Sequence, residues 1–77
     1  MKMKVQDKVV LNILQVMKEK NIDEQYLIDN CDIKEKRLRS ILDVGTSRVI
    51  RIDEIGMIAN ALKVPVYKIF DTRKYED

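Results

Sequence analysis

The sequence predicts a small all-α domain. Three observations carry that expectation. Apolar residues recur at three-and-four spacing in successive segments, the mark of helices that bury one stripe. Only two glycines and one proline occur in 77 residues, too few for the tight turns of an all-β fold. The apolar fraction of 45% beside a charged fraction of 36% suits a folded helical chain rather than a disordered one.

The elements follow in order. Residues 1–6 carry no periodic signal and are expected to fray. From Asp7, the positions Val10, Ile13, Leu14 and Met17 form one apolar stripe, and Val9 and Val16 lie beside it. Asp7 is expected to cap or favour the start of this first helix, Lys18 and Lys20 suit its negative end, and Asn21 suits a left-handed stop. Asp23 is the candidate N-cap of a second helix containing Tyr26, Leu27 and Ile28, with Ile22 placed to staple onto Leu27. A tight turn is expected near Cys31, Asp32 and Ile33, with Asp32 tolerant of left-handed backbone.

A third helix is predicted from about Lys34 to Asp43. At about 100° per residue, Leu38, Ile41 and Leu42 share one side, Lys36 and Ser40 point directly away, and Arg37 and Arg39 sit on the two shoulders. Residues 44–51 form a loop opened by Gly45. Ile52, Ile55, Ile58, Ala59 and Leu62 then keep helical spacing, with Asp53 and Glu54 in the first turn. Gly56 within that fourth helix is expected to allow close helix packing. Pro65 fits the first turn of a short fifth helix, and Val66, Ile69 and Phe70 are expected in the core. The chain thus reads as a single domain over 1–77, with its core at about 7–70 and short tails; no internal repeat is present.

Composition narrows function by exclusion. The chain has one cysteine, so no internal disulfide can form, and Cys31 among apolar neighbours reads as a reduced core residue. With no histidine, no phosphate-cradling glycine loop and no metal-ligand spacing, neither an enzyme nor a bound metal or other cofactor is expected. The start, MKMKVQDKVV, lacks the apolar run of a signal peptide, and no segment reaches the roughly 20 apolar residues of a membrane span. A cytoplasmic protein with no membrane partner is the expectation.

A net charge of +2 is too small to argue for nucleic acid. The distribution says more. Residues 21–33 carry Asp23, Glu24, Asp29 and Asp32 without a basic residue, whereas residues 34–39 carry Lys34, Lys36, Arg37 and Arg39 against Glu35 alone. The sign changes at the turn. A short helix held from behind by apolar side chains and basic in front is what a groove-entering helix requires.

With five helices in this order, the chain resembles the phage repressor and Cro-like (XRE-type) helix-turn-helix family over about Val9 to Phe70. The resemblance is carried best by IDEIGMIANALKVPVYKIF, similar to that family's fourth and fifth helices, and by Leu27, Ile33, Leu38 and Ile41 in the motif itself. It implies a lambda-repressor-like fold with helices two and three as the helix-turn-helix. It also implies sequence-specific double-stranded DNA binding as a transcriptional regulator, with helix three in the major groove. Lys36 and Ser40 would hold base-reading positions and Glu35 an adjacent one, with Lys34 beside them. Arg37 and Arg39 would reach flanking phosphates, and Thr46, Ser47 and Arg48 would touch the backbone. A module of this size reads few base pairs, which implies a homodimer on a roughly two-fold operator.

The chain departs from the family pattern at four positions. Glu24 stands where a phosphate-binding glutamine is usual, Ile28 where a small alanine is, Asp32 at the turn glycine, and Arg39 at a small polar position. The loop after helix three is also about two residues longer. These departures keep open a second reading, a protein-interaction module of the same fold, similar to an anti-repressor or antitoxin, with weak or no DNA binding and a protein partner.

Overall fold

The structure, a computed structural model, describes residues 4–43 and 49–73. It is all-α. Among the described residues there are five helices and no strand: α1 (Val5–Lys20), α2 (Glu24–Asn30), α3 (Glu35–Ile41), α4 (Ile52–Leu62) and α5 (Val66–Phe70). None of them is long and apolar enough to cross a membrane.

α1 starts two residues before the expected point. Lys4 is its N-cap, Val5 and Gln6 are helical, and Asp7 lies inside the first turn, where its charge favours the positive helix end. No breaker precedes Asp7, so nothing stops the helix from growing backward. Its end is as expected: Asn21 is left-handed with φ 56°, and the Ile22 amide reaches back to the Met17 carbonyl at 2.8 Å. α1 buries a broader face than one stripe: Val9, Val10, Ile13, Val16 and Met17 are buried and Leu14 is partly so.

Asp23 caps α2 as expected, its Oδ1 accepting the Tyr26 amide at 2.9 Å. Ile22, just before the cap, packs against the core. The turn from α2 to α3 is made without left-handed backbone; the only described non-glycine residues with positive φ are Asn21 and Lys63, so Asp32 is not among them. Cys31 instead leaves α2 in an extended conformation. α3 is shorter than expected at both ends, with Lys34 as N-cap and Leu42 as C-cap.

The core joins Leu27 of α2, Leu38, Ile41 and Leu42 at α3, Ile55, Ile58, Ala59 and Leu62 of α4, and Ile69 of α5 to the α1 face. α5 packs on both α1 and α4, and α2 packs on α4 and α3. The Tyr26 hydroxyl reaches the Ala61 carbonyl at 3.4 Å, a further tie between α2 and α4.

Several expectations about burial, helix position and packing are corrected. Ile52 has the right helical phase but lies in the first turn of α4, and it is 77% exposed. Periodicity sets the side on which a residue lies, not whether a partner extends that far. Val66 and Phe70 are also exposed, because a five-residue helix turns only one position, Ile69, fully inward. Pro65 precedes α5 as its N-cap rather than sitting in its first turn. Cys31 is half-buried, its Sγ 3.8 Å from the Met57 carbonyl, and burial pushes its thiol pKa up. Gly56 is not a packing contact: a Cβ built there would meet nothing within 4 Å.

Candidate nucleic-acid interface

α3 is held by Leu38 and Ile41, both fully buried, and by Leu42 at its end. This leaves Lys34, Glu35, Lys36 and Arg39 exposed and Ser40 half-buried. Lys34 and Lys36 form no ion pair among the described residues. Thr46, Ser47 and Arg48 lie outside the described residues.

The two arginines are placed differently from one another. Arg39 stays outward, between two carboxylates: its Nε is 3.4 Å from Glu24 Oε1 on α2 and 3.3 Å from Glu35 Oε2 one turn earlier. All three side chains are roughly half exposed, so these pairs are screened by water and hold Arg39 weakly. The Glu24 side chain thus lies beside the basic face of α3.

Arg37 turns toward α4. Its Nε donates to Glu54 Oε2 at 2.7 Å and its Nη2 to Glu54 Oε1 at 2.8 Å, the two-point geometry of a guanidinium on a carboxylate. Nη2 also donates to the Val49 carbonyl at 2.7 Å. Glu54 Oε1 accepts the Arg51 amide at 2.9 Å as well, which serves an otherwise orphaned N–H at the start of α4. Arg51 cannot return the favour as a capping box would, since arginine carries no acceptor. The Arg37 hydrogen bonds hold the Glu54 pKa down to about 2, against burial, with the Arg51 amide adding to the effect. Arg37 is therefore a structural tie between α3, the segment before α4, and α4 itself.

Sequence reasoning treated Glu54 as a first-turn acid and missed this role. Its third position in α4 was the available signal, because an acid there serves the N-cap amide. The partner could not be read, since Arg37 lies 17 residues away. Asn12 was missed entirely. It is 2% exposed, and its Nδ2 donates to the Ile69 carbonyl at 2.7 Å and the Asp71 carbonyl at 2.9 Å, closing the end of α5 from α1.

Beside the α3 start lies a shallow concavity of about 270 Å³ whose lining mixes Lys34, Arg37 and Arg51 with Asp32, Asp53 and Glu54. The mixture of signs gives it no character as an anion pocket. Comparison of the chain with protein-family models, with curated proteins and with solved structures finds no match in any of the three.

Proposed function

We propose that this protein binds double-stranded DNA as a transcriptional regulator, with α3 entering the major groove. The observation that carries the reading is the construction of α3: a seven-residue helix with a buried apolar back, joined to α2 by a short turn, and with Lys34, Lys36 and Arg39 exposed on it. Lysine and arginine there can donate to guanine edges or to phosphates, and Ser40 can bond either. The resemblance to phage repressor and Cro-like proteins supports the same reading.

The test is duplex binding at low salt, using fragments of the whole genome to avoid guessing the operator. Affinity is expected to fall steeply with salt, and Arg39→Glu to weaken it and lower the salt slope by about 1 or more. No binding of any fragment at low salt would end this reading. Glu24→Gln is expected to tighten binding, since it removes a carboxylate that would repel a phosphate; unchanged or weaker affinity would mean that Glu24 does not face the DNA backbone.

A second reading has its own observation. Of the four basic residues from 34 to 39, Arg37 is engaged by Glu54 and Arg39 by Glu24 and Glu35. A face so balanced suits a protein partner, as in an antitoxin or anti-repressor. That reading predicts that the same α3 substitutions disrupt a protein complex and leave DNA affinity negligible.

A further inference from the structure

On the basic face of α3, Arg39 differs from its neighbours in what surrounds it. Lys34 and Lys36 are exposed and form no ion pair among the described residues, whereas Arg39 stands between two carboxylates. Glu24 Oε1 and Glu35 Oε2 both approach its Nε, at 3.4 and 3.3 Å. Two carboxylates around one guanidinium leave this cluster with one negative charge in excess. The terminal nitrogens of Arg39 donate no hydrogen bond to the described residues, unlike Arg37, whose Nη2 already serves Glu54 and the Val49 carbonyl.

Resting on the reading of α3 as a groove-entering helix, we infer that Arg39 selects a guanine, with Glu24 and Glu35 as its positioning residues. Charge is the first argument. A phosphate brought to Arg39 also meets two carboxylates, which oppose it; a base edge carries no net charge and meets no such opposition. This departs from the flanking-phosphate role that the family resemblance implies for Arg39. That role suits the unpaired Lys34 better. Geometry is the second argument. With Nε facing the carboxylates, the edge formed by Nη1 and Nη2 is left for a ligand. Its parallel N–H donors match the paired O6 and N7 acceptors that guanine alone presents in the major groove. Position is the third. Glu35, one turn before Arg39, draws the guanidinium toward the N-terminal end of α3, the end by which a recognition helix meets base edges. A guanidinium held there before binding loses less freedom than a free one.

Selection of bound duplexes from a random library by the full chain, followed by affinities for the selected site and its single-base variants, tests the inference. The expected site contains a guanine whose replacement by adenine weakens binding roughly 5- to 100-fold. Arg39→Met is expected to reduce that preference to about twofold or less while preferences at the other positions persist. Glu35→Gln and Glu24→Gln are expected to shrink it at least about threefold. Each frees the arginine from a carboxylate and so tightens binding to sequences lacking the guanine more than to those holding it. All three side chains are about half exposed, and the helical circular dichroism of the variants is expected to match wild type. An Arg39→Met variant that weakens every duplex alike and keeps the guanine preference overturns the inference, because it places Arg39 on phosphate. So does a wild-type site without such a guanine, or a preference that both glutamine variants leave intact. Those outcomes leave DNA binding by α3 standing. Failure to retain any duplex at low salt removes the DNA reading and this inference together.

Discussion

The Arg37 guanidinium clasps the Glu54 carboxylate at two points, 2.7 and 2.8 Å, and so joins α3 to the start of α4 across 17 residues. The Glu54 side chain is about a tenth exposed and that of Arg37 about a third, so water screens the pair only in part. Through the further bonds of Arg37 to the Val49 carbonyl and of Glu54 to the Arg51 amide, it also fixes the segment that leads into α4.

This pair makes stability depend on pH in a defined window. The folded Glu54 pKa is near 2 against an ordinary 4.5, so its stabilisation is fully present above about 4.5 and is lost as pH falls toward 2. Glu54→Gln is expected to cost about 2–3 kcal/mol at neutral pH. Urea unfolding of both proteins between neutral pH and pH 2 checks this: the gap between them should close below about pH 4.5. A gap that stays constant with pH would refute the assignment of the charge.

Asn12 predicts a different signature. Asn12→Leu removes the donor serving the buried Ile69 carbonyl and is expected to cost about 1–3 kcal/mol. Amide exchange should rise most in α5, which this side chain tethers to α1, and much less in α2 and α3. Uniform acceleration across the chain would instead indicate general loss of stability.

Gly56 lies mid-helix with open space where a Cβ would stand. Gly56→Ala is therefore expected to stabilise the protein by about 0.5–1 kcal/mol by restricting the unfolded chain. The corresponding rise in melting temperature is about 3–6 °C for a domain of this size. A fall would mean that the position needs a conformation only glycine adopts.

What the sequence determined by itself is what depends on neighbours in the chain. The all-α class, the five helices, the Asp23 cap and the left-handed stop at Asn21 all arise from interactions within about four residues. So do the buried positions Leu27, Leu38, Ile41, Ile58 and Leu62, because helical phase alone sets which side they occupy. The tertiary structure decided how far along each helix a partner extends, leaving Ile52, Val66 and Phe70 outside while Ile69 is sealed in. It also decided which charges are already engaged. Arg37 and Arg39 are the same residue type two positions apart on one short helix, yet Arg37 reaches a nearly buried carboxylate on α4 and Arg39 only exposed ones on α2 and α3. That difference depends on where α2 and α4 lie in space, and no pattern along the chain carries it.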